Sequence, residues 1–303
     1  MTDLKFKKIT IIGLGLIGSS ICLAVKSRGL ADEIIGCDLS KIVLETASKL
    51  SLADHFFEDP SKAVQGADLV ILSVPVGAIP QVGKSILSFL KPGCILTDTG
   101  SVKNSVVSAL NSYIPEDINF IPSHPVAGTE NSGPESGFAE LFEGRWCILT
   151  PNNNIDKKHI FILTKFWEEI GSLVEIMSPE NHDLILAITS HLPHLIAYNI
   201  VGTADDLEQV TQSDVVKFAA GGFRDFTRIA SSNPIMWRDV FLNNKEAVLE
   251  MLGRFNEDLT ELQKAIRWND GEKLEQVFRK RSLIRKQIID AGQAEFEESK
   301  KIK

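Results

Sequence analysis

The sequence predicts an α/β N-terminal half, built as a doubly wound parallel sheet, followed by an all-helical C-terminal half. Three observations lead there. Short β-branched apolar runs alternate with helical patterns over the first half. A glycine-rich turn follows the first of these runs directly. After Ser178-Pro179 every apolar pattern has helical spacing. At 303 residues, 44% hydrophobic and 24% charged, the chain has apolar material for two domains, with the boundary placed between residues 177 and 178.

The predicted strands are Ile9 to Ile12, Glu33 to Cys37, Leu69 to Val74, Cys94 to Thr97 and Phe120 to Ile121. Alternation of this kind implies parallel strands joined by crossover helices. Trp146 to Leu149, a helix from about Lys157 to Ile170, and Leu173 to Ile176 are expected to extend the same sheet. Ser178 then offers an N-cap and Pro179 a first helical position. The apolar stretch Leu184 to Ala204 contains His191, Pro193, His194, Tyr198 and Asn199, which argues for a buried helix and against a membrane span. Val248, Leu252, Phe255, Leu259, Leu262 and Ile266 alternate spacings of four and three, the seam of one long helix. Asn269-Asp270-Gly271 ends it. A last helix presents Leu274, Val277, Phe278, Ile284 and Ile288. Helices of this kind pack within one chain or across a dimer, and spacing does not choose between the two.

A net charge of −8 and a pI near 5.4 speak against nucleic acid as a partner, because neutralising phosphates needs clustered Lys and Arg. Arg279-Lys280-Arg281 reads as a solvated helix face. The apolar run before Gly13 is too short for a signal segment. Cys22, Cys37, Cys94 and Cys147 stand singly, without the close pairs of metal or redox motifs. The expectation is four free core thiols in a cytoplasmic, reducing setting, with no metal.

Gly13-Leu14-Gly15-Leu16-Ile17-Gly18 follows the first strand and opens a helix, the pattern of a Rossmann-type dinucleotide fold. Its first glycine permits the turn, its second lets the pyrophosphate approach backbone, and its third lets helix pack on strand. Unpaired N–H groups at the helix start then face the phosphates. Asp38 ends the second strand, where a carboxylate accepts from ribose hydroxyls and repels a 2′-phosphate, favouring NAD over NADP. A turn or N-cap role for Asp38 is the alternative. Ser73 and Pro75, at the end of the third predicted strand, and Gly100, after the fourth, complete the expected cofactor set of Gly13, Gly15, Leu16, Ile17, Gly18 and Asp38.

Oxidising an alcohol requires a base for its proton. His124 follows the fifth predicted strand, beside the cofactor crevice. Ser101 follows the fourth, either as an N-cap or as a donor to a substrate oxygen. His191 and His194, three apart, share a helix face, and Pro193 between them implies a kink. Arg224 and Arg228 share a face if helical, and guanidinium forks bind carboxylates, so an acidic substrate is suggested.

The segments GLGLIGSS, DTGSVK, SHPVAGTE, TSHLPH and GGFRDFTRIASSNPIMW together resemble the prephenate dehydrogenase family, which includes arogenate and cyclohexadienyl dehydrogenases. The resemblance runs from about Lys8 to Ala291. It implies oxidation of the ring C4 alcohol of prephenate by NAD, with loss of carbon dioxide, giving 4-hydroxyphenylpyruvate; arogenate would give tyrosine. His124 then takes the hydroxyl proton and Ser101 hydrogen-bonds the same oxygen. His194 and Arg228 match substrate-binding positions, Glu130 an acid near that arginine, Trp237 a pocket wall and His191 a lining histidine. The resemblance also implies a homodimer formed through the helical domain and leaves no room for an appended regulatory domain.

The nearest competitor is the β-hydroxyacid dehydrogenase class, which uses a lysine on its helical domain. Lys217 is the nearest candidate and lacks the surrounding pattern. A non-catalytic NAD-binding protein would have lost the base or the carboxylate clamp, whereas Ser101, His124, His194 and Arg228 are all present.

Overall fold

The computed structural model describes residues 4–129, 131–212 and 216–289. Contacts divide the chain into two compact units, residues 1–248 and 249–303. The larger unit holds a six-stranded, all-parallel sheet of β1 (Phe6–Ile12), β2 (Ala31–Cys37), β3 (His55–Phe57), β4 (Leu69–Leu72), β5 (Ile95–Asp98) and β6 (Asn119–Phe120), in the order β3-β2-β1-β4-β5-β6. Strand order reverses between β1 and β4, the switch point at which open α/β sheets bind ligands.

Alternation decides which face each side chain fills. Ile9, Ile11, Leu69 and Ile71 point into one core, with helix α1 (Leu16–Arg28) and the buried rings of Phe166 and Trp167. Ile12, Val70, Leu72 and Leu96 fill the opposite core. Helix α2 (Lys41–Lys49) is capped by Ser40, and the short helix α3 (Pro60–Ala63) by Asp59. Helices α4 (Ile79–Ile86) and α5 (Asn104–Leu110) contribute Ile79, Ile86, Val106 and Leu110 to the second core.

Two expectations about the sheet need correction. The short edge strand β3 went unpredicted, because three residues between Asp54 and Glu58 carry no readable alternation. His124 therefore comes after six strands and not five, and it lies within a seventh. The later strands do not extend the parallel sheet. β7 (Ser123–Pro125), β8 (Trp146–Leu149) and β9 (Leu173–Ile176) form a separate three-stranded sheet, antiparallel at β7/β8 and parallel at β8/β9. Pro122 explains the break: it has no N–H for a ladder, so the chain leaves the first sheet after Phe120 and joins the second at Ser123. Helix α6 (Lys157–Glu169) connects β8 to β9.

Ser178 caps helix α7 (Pro179–Leu186), its hydroxyl accepting from Asn181 N–H, with Pro179 in the first turn. A π-helical turn, Ala187–His191, joins α7 to helix α8 (Leu192–Thr211). The kink expected at Pro193 takes this form, a wider turn just before the residue that cannot donate. Pro179–Thr211 is a helical stretch long and apolar enough to cross a membrane by length and composition. The expected burial holds for one face only: His182, Asp183, Leu186, Ala187, His191, Leu192 and Ala197 are buried, while Ile185, Ile188, Ile200, Val201 and Leu207 are exposed. Helices α9 (Gly221–Thr227) and α10 (Pro234–Asn243) follow, the latter capped by Asn233.

Helix α11 (Lys245–Arg267) begins in the larger unit and runs into the smaller one. Asp270 caps helix α12 (Gly271–Ile288). Within the smaller unit Glu261 meets Lys264 and Lys273 at 2.9 and 3.0 Å, and these lysines lower its carboxyl to about 2. Phe278, Leu283, Ile284 and Ile288 of α12 are exposed.

Candidate active site

The glycine-rich turn leaves β1 at the switch point. Gly13 has φ +95°, and a Cβ there would lie 2.4 Å from the Ser73 carbonyl oxygen, while one at Gly18 would lie 1.9 Å from the Gly13 carbonyl. No side chain fits at either position. A Cβ at Gly15 would meet nothing within 4 Å. Gly15 also stands at the N-cap of α1 with no side chain capping it and no acid in the first turn. The helix start therefore offers free N–H groups and positive dipole to open space, which fits a pyrophosphate. Leu16 begins the helix as a buried residue and Ile17 packs against the first core.

Asp38 takes the turn role that the sequence offered as the alternative. One carboxylate oxygen accepts from Leu14 N–H at 3.0 Å and the other from Ser40 N–H at 2.9 Å. It thus fastens the glycine turn to the end of β2, and Ser40, not Asp38, caps α2. Each oxygen keeps a second acceptor site, so ribose hydroxyls fit as well. Ser73 follows β4, its hydroxyl accepting from Thr99 at 3.2 Å. Pro75 opens a short turn at Val76–Ala78. Gly100 N–H donates to Asp98 at 2.9 Å, and a Cβ there would press on Ile79.

Beyond β5 lies a buried polar cluster that was not foreseen. The Lys103 ammonium donates to the Asp98 carboxylate, and to the Ser123 carbonyl at 2.8 Å, with both charged side chains fully buried. Burial raises the Asp98 carboxyl and Lys103 counters that rise. Ser123 donates to the Asp98 carbonyl at 2.6 Å and meets Thr97 at 2.9 Å. These contacts pin β7, and His124 with it, to the C-terminal end of β5.

Ser101 does not cap α5. Lys103 occupies that position without a side-chain cap, and the capping acceptor comes from α7: Asp183 takes Lys103 N–H at 2.8 Å and Asn104 N–H at 2.9 Å. Two helices distant in sequence are joined by one carboxylate.

His124 Nδ1 lies 2.8 Å from His182 Nε2, and His182 Nδ1 lies 2.7 Å from Asp183 Oδ1. The three side chains are buried. Desolvation holds the His124 imidazole well below its ordinary range, helped by the charges of His182, Lys103 and His191. Burial likewise takes His182 down to about 2 and His191 to about 4.

Asn244 Nδ2 donates to the Asp183 carbonyl at 2.8 Å and to His191 Nδ1 at 3.1 Å. An acceptor Nδ1 on a neutral ring leaves the proton on Nε2, which is buried without a hydrogen bond of normal geometry. His191 and His194 both face Trp237, one edge-on at 6.0 Å, the other stacked at 3.6 Å between ring centres. Trp237 is buried and belongs to the second core. His194 Nδ1 donates to the Ser190 carbonyl at 2.9 Å, an oxygen of the π-helical turn. Burial lowers His194, and the charge of Arg228 adds to that. Arg224 and Arg228 do not continue one helix, since Arg228 starts a 3₁₀ turn. Glu130 lies outside the described residues. No group of three His, Cys, Asp or Glu suited to a metal occurs among the described residues.

The structure therefore links His124, His191, Trp237 and His194 through a chain of contacts that adds His182, Asp183 and Asn244; Ser101 follows β5 closely, Arg228 acts on His194 through its charge, and Asp98 and Lys103 are a further addition. Lys103 stood within the quoted DTGSVK segment, and His182-Asp183 lay one turn beyond the Ser178 cap. A buried ammonium five residues after a strand-end aspartate was the available signal.

A Rossmann-type sheet with open space at Gly15, and a buried histidine of lowered pKa on the strand pinned to the C-terminal end of β5, is the arrangement of a dinucleotide-dependent oxidoreductase. The family model described as prephenate dehydrogenase, nucleotide-binding domain, matches residues 21–176, and that described as prephenate dehydrogenase, dimerization domain, matches residues 178–280. The cyclohexadienyl dehydrogenase of Zymomonas mobilis is 44% identical over 274 residues, covering 90% of this chain and 93% of that one. The crystal structure of prephenate dehydrogenase from Aquifex aeolicus, in complex with hydroxyphenyl propionate and NAD+, superposes with a TM-score of 0.87 at 35% identity, covering 93% and 98% of the two chains. Synechocystis arogenate dehydrogenase gives 0.77 at 26% identity, with 93% and 99% covered. This chain belongs to the prephenate dehydrogenase family, and its cofactor is NAD.

Proposed function

We propose that the protein catalyses the NAD-dependent oxidative decarboxylation of prephenate to 4-hydroxyphenylpyruvate. The observation that carries this reading is His124, buried, held neutral and oriented by a neighbour on the strand pinned to the C-terminal end of β5. Gly13, Gly15, Leu16, Ile17, Gly18, Asp38, Ser73, Pro75 and Gly100 are assigned to the cofactor. NAD, when bound, supplies the acceptor for the hydrogen and electron pair of the alcohol carbon.

His124 accepts the hydroxyl proton while Ser101 hydrogen-bonds the same oxygen. The ring carboxylate leaves as carbon dioxide, and its bonding pair enters the ring and reaches that oxygen. His124 then returns the proton, giving the phenol, so the residue ends as it began. Arg228 and His194 hold substrate carboxylate, Trp237 and His191 wall the ring, and Glu130 is assigned to substrate binding. A guanidinium is the stronger anchor because it is charged at every working pH and forks toward two oxygens.

Arogenate differs from prephenate by an amino group in place of the side-chain keto group, and Ser101 and His124 would act on it identically. The similarity to a cyclohexadienyl dehydrogenase and to an arogenate dehydrogenase makes dual use the second reading. Reduced-cofactor absorbance, followed with NAD and each substrate in turn, tests both. Turnover of prephenate supports the proposal, turnover of arogenate alone replaces the substrate, and turnover of neither overturns it.

The exposed apolar side chains of α8 and, separately, of α12 support a homodimer built through these helices. Sedimentation at micromolar concentration should give twice the chain mass, and a monomer would contradict this. Four buried free cysteines suit a reducing, cytoplasmic setting.

A further inference from the structure

We propose that His182 and Asp183 are positioning residues that fix the tautomer of His124, leaving its Nε2 unprotonated and facing the reaction. The inference rests on the reading of His124 as the base.

The direction of each hydrogen bond follows from the acceptors at one end. Asp183 accepts from two backbone donors, Lys103 N–H on Oδ1 and Asn104 N–H on Oδ2, and its Oδ1 lies 2.7 Å from His182 Nδ1. An ionised carboxylate only accepts, so His182 Nδ1 carries the proton. A neutral imidazole has one N–H, so His182 Nε2 is an acceptor. That nitrogen lies 2.8 Å from His124 Nδ1, which must then donate. The single proton of neutral His124 is thereby held on Nδ1, and Nε2 is left with a free lone pair. Reversing either link would place two donors or two acceptors face to face in a buried site, at the cost of an unmade hydrogen bond.

The backbone supports the same arrangement. Asp183 is fixed midway along α7 through its cap on α5, and its own carbonyl is held by Asn244 at 2.8 Å. His124 sits on β7 between Ser123 and Pro125, paired with Ile148 of β8. Both ends of the relay are therefore anchored in regular structure, and the middle ring of His182 is fully buried. When His124 gains the substrate proton, its Nδ1–H bond to His182 strengthens without any group having to turn.

Two substitutions separate polarity from packing. His182→Gln presents an oxygen to accept from His124 and an N–H to donate to Asp183, preserving the direction of the relay. His182→Leu fills space and breaks it. Disabling the group that orients a histidine base costs about 10⁴ in rate where the wrong tautomer results. With both tautomers accessible, His182→Leu should lower kcat by roughly 10- to 10²-fold with little change in KM. His182→Gln should stay within a few-fold of the unmodified enzyme.

Long-range proton–nitrogen correlation spectra of protein labelled at its histidines read the tautomer directly, with His124 assigned by its loss in His124→Asn. The expected result is a proton on Nδ1 of His124 in the unmodified protein and in His182→Gln. A proton on Nε2, a His182→Leu enzyme of undiminished kcat, or a His182→Gln enzyme as slow as His182→Leu would overturn the proposal. If His182→Leu does not fold, the spectrum and the Gln variant still decide. Failure of the base reading is seen separately, as a His124→Asn enzyme that keeps its rate.

Discussion

Lys103 and Asp98, five residues apart, form an ion pair with no solvent exposure on either side chain, and the same ammonium reaches the Ser123 carbonyl on the strand that carries His124. Removing one member of such a pair leaves the other charge buried and alone, a loss of about 3 to 5 kcal/mol. Lys103→Met should lower unfolding free energy by that order in urea titration, and it should also lower kcat by loosening β7. Stability within about 1 kcal/mol of the unmodified protein, at the scale of ordinary surface substitutions, would show that the pair is dispensable.

The fold was readable where one periodicity dominated. Ile9 to Ile12, the glycine turn and Asp38 specify a parallel sheet and its ligand edge, because each residue type there answers a local steric or charge demand. The second sheet was not readable: Pro122 separates two strands that differ in partner, and no local pattern records which sheet a three-residue strand joins. Within the candidate site, His124, Ser101, His194 and Arg228 stood out through the motifs that contain them. His182 and Asp183 did not, since their importance lies in contacts with Lys103, Asn104 and His124, 58 to 80 residues away. Ser101 looked like a cap because its type favours one; the cap came from α7.

Asp38 supports the glycine turn and is the residue proposed for the ribose position. Asp38→Ala should therefore narrow the preference for NAD over NADP by removing the repulsion of a 2′-phosphate. It should also destabilise the turn by about 1 kcal/mol, because the part-buried Leu14 N–H loses its acceptor while the exposed Ser40 N–H turns to water. Measuring kcat/KM with both cofactors, beside thermal unfolding, separates the two effects. Equal use of both cofactors by the unmodified protein would refute the assignment.

Arg228 lies close enough to His194 to lower its pKa, and a carboxylate held there is held in ground and transition states alike. Arg228→Ala should thus act mainly on KM, with a loss of about 2 to 5 kcal/mol in binding. Initial-rate curves at saturating NAD test this. An unchanged KM with both prephenate and arogenate would make the residue a structural partner only.

The central claim is that neutral His124 takes the hydroxyl proton. Its pKa is lowered by burial first and by His182, Lys103 and His191 after that, so the ring stays neutral, and able to accept, at pH values where an exposed imidazole would be charged. Activity should accordingly be lost only as pH falls through a value below the ordinary ~6.5, not at it. The most direct test is kcat at saturating prephenate for the unmodified enzyme and for His124→Asn, across about pH 5 to 9. A drop of roughly 10² to 10⁴ with KM little changed, together with loss of the acidic limb, is the expected result. A His124→Asn enzyme that retained most of its rate would contradict it and return His124 to a structural role.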